Sequence, residues 1–222
     1  MKISEQDRIR VGEAVTSAEA ASDGEIVTVV SAFSDPYHDA VLHWALLVAF
    51  LALAAVAIAP DFFGNLLGRI AGGWLVWTPR ELLTVLLATV LAKFLVARWI
   101  FGLKAVRFRL VPAATKARRV RRRALLLFRL VTENRTRAKT GVLLYLSIAE
   151  HRAEIVADAA INAKVTPETW GEAMAALLDG VRDGRPGDGM VASVEKIGQV
   201  LTAHFPRSPD DRNELPDRLI LL

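Results

Sequence analysis

The sequence predicts an α/β protein, in which a small three-layer helix/sheet/helix sandwich is interrupted by a two-helix transmembrane hairpin. Three short segments have the profile of strands: 25–31, which is β-branched, 142–149, which is apolar on both alternating faces, and 153–158. Two long apolar segments lie between the first of these strands and the other two. A single strand is not stable alone, so we expect the first strand to pair with the strands that follow the apolar segments.

The composition favours one domain with a membrane attachment. The chain has 222 residues, of which 53% are hydrophobic, and the apolar excess lies between Val41 and Phe101. The chain has no cysteine, which excludes disulfides, thiolate catalysis and cysteine-based zinc or iron–sulfur sites. The first 30 residues lack the charged start and apolar segment of a signal peptide, so we expect an N-terminus that is not exported.

The N-terminal region predicts one helix followed by one strand. Ser4 and Asp7 have the spacing of a capping box, and a helix is expected from there to Ala21. The turn-forming residues at 22–24 end that helix. The segment EIVTVVS at 25–31 is short and β-branched, as buried strands are.

The two apolar segments predict membrane spans at about 41–59 and 82–101. The first has 19 residues and no formal charge, which gives roughly 28 Å of helix at about 1.5 Å per residue, close to the roughly 30 Å of a hydrocarbon core. The second contains Lys93 and Arg98. Its many leucines and valines offset a cost of about 2.5 to 3.5 kcal/mol for a central lysine, and both cations can snorkel to a surface. The alternative is a buried helix pair in a soluble bundle.

A belt of basic residues predicts the orientation of the spans. Between Arg98 and Lys139 there are 14 of the 28 lysines and arginines, and the only acid there is Glu133. Because loops rich in lysine and arginine stay in the cytoplasm, the belt is expected to be cytoplasmic. Two spans return the chain to its starting side, so both termini are expected there as well.

The segment after the spans predicts a crossover helix and a β-hairpin. Residues 113–131 repeat apolar side chains at spacings of three and four, with arginines on the opposite face. The strands at 142–149 and 153–158 are joined by a tight turn at 150–152. The simplest sheet pairs 25–31 in parallel with 142–149, with the helix in the crossover and the membrane hairpin inserted into that crossover.

The C-terminal part predicts two more helices. Thr166 as N-cap and Pro167 at the first position begin a helix that runs to Val181. The segment RPGDG at 185–189 breaks it, and a last helix reaches about His204. The predicted domains, in chain order, are the first part of the sandwich at 1–40, the transmembrane hairpin at 41–101, the basic linker and remainder of the sandwich at 102–206, and a C-terminal tail at 207–222.

Several of these segments resemble the TPM domain family, in particular its bacterial branch with membrane spans inside the domain. The resemblance lies in DGEIVTVV, TGVLLYLS, AEIVADAAINAKV, TW, HFP and NELPD. It implies a compact α/β sandwich, membrane association and, for some photosynthetic relatives, an acid phosphatase activity. It also implies a bacterial inner-membrane location.

Acidic residues at strand ends are the candidate metal ligands. Ligands bind at strand ends in open α/β sheets, and carboxylates can hold Ca²⁺ or Mg²⁺ there. Asp35 and Asp158 are the favoured pair for such a metal, ahead of Asp23, Glu25 and Glu154. The alternative is that these acids are turn and solvated residues. No residue is assigned as catalytic, and the four histidines have no known metal spacing: His38, His43, His151 and His204.

The run RRVRRR at 118–123 is the candidate lipid-binding segment. Each cation near an anionic leaflet contributes about 1 kcal/mol. RNA binding is the competing hypothesis, but the run has no interleaved aromatic residues for base stacking, so nucleic acid is not expected as a partner. The assigned residues are Arg118, Arg119, Arg121, Arg122 and Arg123.

Three functional hypotheses follow. The first is a multi-pass inner-membrane protein whose cytoplasmic TPM-like domain acts by binding, as an accessory in the assembly or quality control of membrane complexes, with a membrane protein as partner. The second is a metal-assisted phosphohydrolase that uses Asp35 and Asp158. The third is a module that binds anionic lipid or RNA through the basic belt.

Overall fold

The computed structural model describes residues 3–70, 72, 77–132, 140–209 and 214–222. The chain forms two compact units. The first combines Met1–Asp35 with Ala113–Leu222, and the second is Pro36–Pro112. The elements in chain order are α1 Glu5–Glu19, β1 Glu25–Ser31, α2 His38–Ile58, α3 Pro60–Ile70, α4 Pro79–Gly102, α5 Lys104–Leu110, α6 Ala113–Val131, β2 Gly141–Ser147, β3 Arg152–Ala157, α7 Ala159–Asn162, a 3₁₀ turn Pro167–Trp170, α8 Gly171–Arg182, α9 Pro186–His204 and β4 Ile220–Leu221.

The first unit is built on a sheet with the strand order β3-β2-β1-β4. β1 and β2 are parallel, and their register runs from Glu25 opposite Gly141 to Ser31 opposite Ser147. β2 and β3 form an antiparallel hairpin, whose turn contains His151 with a φ of 48°. The expected parallel pairing across the insertion and the expected hairpin are both confirmed, as is the α/β fold class.

The C-terminal segment adds a fourth strand, although the sequence predicted only a tail there. β4 is parallel to β1 and has only two residues. The backbone N–H of Leu222 donates to the carbonyl oxygen of Val30 at 2.9 Å, and the N–H of Ala32 donates to the carbonyl oxygen of Leu222 at 3.1 Å. β1 is therefore an interior strand, which explains why all seven of its residues are buried.

Helices cover both faces of the sheet, as a three-layer sandwich requires. On one face α1, α8 and α9 contribute apolar residues to the larger core, which includes Val15, Leu177 and Ile197. On the other face α6 packs through a smaller core. The α6 residues of that core are Val120, Ala124, Leu127 and Phe128, which have the spacing that predicted the helix.

Local signals account for the ends of several helices. At α1 the Ser4 hydroxyl accepts a hydrogen bond from the Asp7 N–H at 3.0 Å, and the Asp7 carboxylate accepts one from the Ser4 N–H at 3.0 Å, which completes the predicted capping box. Thr166 makes no such bond. Thr166 is nevertheless the N-cap and Pro167 the first residue, as predicted, of a 3₁₀ turn that leads into α8 at Gly171.

The break between the last two helices lies at 183–185, slightly before most of the predicted segment RPGDG, whose last four residues form the first turn of α9. Glycines are needed there because two helices approach closely. A Cβ on Gly180 would lie 2.5 Å from the Cα of Gly189, and a Cβ on Gly189 would lie 2.7 Å from the carbonyl oxygen of Leu177. These glycines therefore serve the packing of α8 against α9.

The second unit contains two helices that are long and apolar enough to cross a membrane, α2 and α4. They pack against each other, with Ala45 and Ala49 buried on α2. Most of their large apolar side chains point outward, so that Phe50 is 64% exposed and Leu87 is 69% exposed. α4 begins with Pro79, behind a capping box formed by Thr78 and Glu81.

We expect Gly180→Ala to destabilise the first unit by about 1 to 3 kcal/mol, because the new methyl group meets backbone atoms of α9. Gly171→Ala is the matched control, since a Cβ at the start of the same helix has no neighbour within 4 Å. Thermal unfolding of the full chain in detergent, followed by circular dichroism, measures both. Equal melting temperatures for the two variants would contradict this account of the helix packing.

Candidate functional site

A buried polar network lies at the edge of the sheet where β1 and β2 end. The Ser34 hydroxyl is 2.9 Å from the Tyr145 hydroxyl and donates to the Ser147 hydroxyl at 2.8 Å. The Glu150 carboxylate accepts from the Ser147 hydroxyl at 2.6 Å and from the Ser34 N–H at 2.9 Å. Tyr145 and Ser147 are fully buried and Glu150 nearly so. A buried carboxylate is stable only when hydrogen-bond donors surround it. Because the Ser34 N–H is one of the donors to Glu150, the network fixes the position of the chain that leaves β1.

Asp35 lies at this same edge but is held by an arginine of α6. Arg119 Nη1 donates to Asp35 Oδ1 at 2.7 Å. The pair is half-buried, with 23% and 32% of the two side chains exposed. This contact ties the end of β1 to α6.

Asp158 lies at the opposite edge of the sheet, because β3 is antiparallel to β2. Its Oδ2 accepts a hydrogen bond from the N–H of Gly141, the first residue of β2, at 3.1 Å. A strand of seven residues separates the two edges by roughly 20 Å at about 3.3 Å per residue. The fold therefore does not bring Asp35 and Asp158 together, and they cannot share one metal ion. Within the described ranges no group of three or more acids and histidines could hold a metal.

The remaining candidate acids have structural contacts. Asp23 accepts a hydrogen bond from the N–H of Ser208 at 2.6 Å. Glu25 accepts from the N–H groups of Glu214 and Leu215 at 3.2 and 3.1 Å, which anchors the segment that leads to β4. Glu154 pairs with Arg121 at 2.9 Å.

A buried carboxyl group that sequence reasoning did not single out, Glu19, lies at the end of α1. Its Oε1 accepts a hydrogen bond from the Ile26 N–H at 2.6 Å. The pKa of Glu19 is raised to about 9, mainly by burial and also by the nearby carboxylates of Glu25 and Asp217, while the hydrogen bond from the Ile26 N–H opposes the rise. Glu19 is therefore protonated at neutral pH. Sequence reasoning missed it because position 19 is the last of an otherwise polar helical turn.

The outer surface of α6 combines arginine with exposed leucine, and we call it the arginine–leucine face. It borders a groove of about 700 Å³. Leu126 is 46% exposed and Leu130 is 61% exposed. The face consists of Arg118, Arg121, Arg122, Leu125, Leu126, Arg129 and Leu130.

The predicted arginine set divides into two groups. Arg119 and Arg121 form ion pairs with Asp35 and Glu154. Arg118, Arg122 and Arg123 are exposed and form no ion pair with any residue that the structure describes. Sequence reasoning missed the exposed leucines, because it assigned apolar residues of this helix to the core only. The part of the basic belt at 133–139 lies outside the described residues.

Comparison with known families identifies the domain. Residues 106–200 match the model of the TPM domain. Over these residues the chain is similar to the TPM domain, as the motifs predicted. The match begins in α5 and ends in α9, so β1 and β4 lie outside the matched segment although both belong to the same sheet. This is the pattern expected when an insertion separates β1 from the rest of the domain.

The fold is also similar to a solved structure. The BA42 protein of the psychrophilic bacterium Bizionia argentinensis, determined by NMR, superimposes with a TM-score of 0.58 at 17% sequence identity. The alignment covers 100% of this chain and 97% of that chain. At this identity the similarity concerns the fold alone. No curated protein matches the sequence.

We expect Glu19→Gln to stabilise the chain at about pH 8 and to have little effect at about pH 4. The native state keeps the Glu19 proton up to a pKa of about 9, whereas an unfolded chain releases it near the ordinary value of 4.5. The stability contributed by the neutral carboxyl group is therefore complete below pH 4.5 and is lost progressively between pH 4.5 and 9. The glutamine has no proton to lose and can still accept the bond from Ile26.

Thermal unfolding in detergent at both pH values measures this effect. Glu13→Gln on the exposed surface of the same helix is the matched control and should change little at either pH. A Glu19→Gln advantage that is the same at both pH values would contradict a neutral buried Glu19.

Proposed function

We propose that this chain is a multi-pass protein of the bacterial inner membrane that holds its TPM domain at the cytoplasmic surface. In this proposal α2 and α4 span the bilayer and both termini are cytoplasmic. The domain acts by binding, as an accessory in the assembly or quality control of membrane complexes.

The observation that carries the proposal is the exposure of the two long apolar helices. In the most apolar 18-residue stretch of each helix, only 17% of α2 and 6% of α4 are buried. A helix pair in the core of a soluble bundle would be mostly buried, because exposed apolar area costs about 25 cal/mol per Å². Lipid is the solvent in which such a surface is stable.

The pairing of the strands supports the proposal that both ends of the chain lie on the same side of the membrane. The second unit is inserted between β1 and α6, yet β1 pairs with β2 along its whole length. Open sheet edges are not tolerated in the hydrocarbon region, so the two strands have to meet in one aqueous compartment. The basic residues that follow α4 favour the cytoplasm.

Binding is favoured over hydrolysis because the candidate acids are committed to the fold. Asp35 pairs with Arg119, and Asp158 binds the first backbone N–H of β2 at the other edge of the sheet. A phosphohydrolase that uses these two carboxylates on one Ca²⁺ or Mg²⁺ would need them within a few ångströms of each other. The register of the sheet argues against that alternative.

Single-cysteine labelling tests the topology, and the chain has no cysteine of its own to interfere. We expect a membrane-impermeant maleimide to label Asp61→Cys, between the two apolar helices, in intact spheroplasts. Ser17→Cys and Ala203→Cys should react only after the membrane is permeabilised. All three positions are exposed. Labelling of Ser17→Cys and Ala203→Cys on different sides of the membrane would overturn the proposal.

Affinity isolation of the tagged chain from detergent-solubilised membranes tests the binding role. We expect a membrane-protein partner in stoichiometric amount that remains bound through gel filtration. Cells with the untagged chain provide the control for non-specific capture. Recovery of the chain alone, under conditions that preserve its fold by circular dichroism, would contradict an accessory function.

A further inference from the structure

The arginine–leucine face of α6 is an exposed apolar surface on the TPM domain, outside the two apolar helices. Leu126 and Leu130 are the exposed leucines of this face, and Leu125 is half-buried beside them. An apolar surface that remains open on a folded domain indicates an interaction site. Its charge and composition indicate which partner fits it.

The charge of the face selects an anionic partner. Arg118 and Arg122 are exposed and have no ion pair among the described residues. Arg122 lies one helical turn from Leu125 and Leu126, so positive and apolar groups follow each other along the same strip. Arginine beside leucine on an exposed helix face is typical of helices that lie in the membrane interface.

The apolar part separates lipid from RNA. RNA-binding surfaces without sequence preference stack bases on aromatic side chains, and none of the residues of the arginine–leucine face is aromatic. Leucine side chains instead gain free energy when they enter the boundary between headgroups and acyl chains. The combination of arginine for phosphate and leucine for that boundary fits a phospholipid.

The connection to the proposed spans supports the same partner. Residues 103–112 alone link the end of α4 at Gly102 to the start of α6 at Ala113. Ten residues reach at most about 35 Å even when fully extended, and part of this link is the helix α5. A helix on such a short tether stays close to the membrane surface.

We propose that the arginine–leucine face docks on the anionic phospholipid surface, with Arg118 and Arg122 on headgroup phosphates and Leu126 and Leu130 at the acyl boundary. This inference rests on the proposed membrane location. The ion pairs of Arg119 with Asp35 and of Arg121 with Glu154 hold α6 against the sheet while Arg118 and Arg122 bind phosphate. Docking thereby fixes which side of the TPM domain faces the cytoplasm.

A fluorescent label at Leu126→Cys tests the docking in the full chain. The chain is reconstituted in vesicles of phosphatidylcholine, with or without phosphatidylglycerol in both leaflets, so that either orientation of the protein meets the same lipid. With phosphatidylglycerol we expect a blue-shifted emission and quenching by lipids brominated along the acyl chain. In pure phosphatidylcholine, or at high salt, both signals should weaken, because the phosphate attraction is electrostatic.

Two further labelled positions serve as controls. Ala175→Cys on α8, at the other face of the sheet and exposed, should show no quenching in any vesicle. Phe50→Cys on the outward side of α2 should be quenched in both kinds of vesicle if the span is inserted. Quenching at Phe50→Cys without quenching at Leu126→Cys overturns the docking alone, whereas no quenching at Phe50→Cys overturns the membrane location on which it rests.

A charge variant tests the role of the arginines. Removing Arg118 and Arg122 as Arg→Gln should lower the docking equilibrium in phosphatidylglycerol vesicles by up to about 25-fold, since each cation contributes about 1 kcal/mol, or about fivefold. Arg182→Gln with Arg185→Gln removes the same charge from the other side of the sheet and should have no effect. Both arginines there are exposed, so the fold should tolerate the change.

The variants also distinguish lipid from RNA. Retention of RNA that depends on Arg118 and Arg122, without lipid quenching at Leu126→Cys, would overturn the proposal in favour of an RNA surface. Equal quenching in both kinds of vesicle would overturn the role of anionic headgroups. The label in the chain with unchanged arginines still tests the docking if the charge variant does not fold.

Discussion

The parallel pairing of β1 with β2 is the constraint on which the rest of this structure depends. Seven residue pairs join the two strands, although more than a hundred residues separate them in the sequence. All residues of both strands are buried, so their backbone groups have to be satisfied within the sheet. The inserted unit must therefore return the chain to where it left, which two helices of similar length packed side by side accomplish.

Most of the sandwich could be predicted from the sequence because its elements carry local signals. The β-branched composition predicted β1 to the residue, and the spacing of apolar residues predicted α6 with the same bounds. β4 has no such signal, because two residues have no periodicity. Its place depends on distant contacts, in which Glu25 holds the backbone of Leu215 and the Thr16 hydroxyl donates to Asp217 at 2.7 Å.

The candidate site was harder to predict, and for a topological reason. In open α/β sheets, ligands bind at the carboxyl ends of the strands. This rule places all candidate residues at the same edge of the sheet only when the strands are parallel. Because β3 runs against β2, Asp158 follows its strand at the edge opposite Asp35. The exposed leucines of α6 were missed for a different reason. Periodicity identifies the buried face of a helix, but it does not show that Leu126 and Leu130 exceed what the single sheet face can cover.

The two surfaces of α6 have separate energetic roles, and in the proposed docking this separation lets one helix face the membrane and still belong to the folded core. Val120, Ala124 and Phe128 close the second face of the sheet, whereas Leu126 and Leu130 take no part in that packing. Because different side chains carry the two roles, the outward face can change its partner or its charge at little cost to the fold. The ion pair of Arg119 with Asp35 stabilises the fold instead, because it anchors the arginine-rich helix where β1 leaves the sheet. In the proposed docking, the domain is thus oriented by the same helix that completes it.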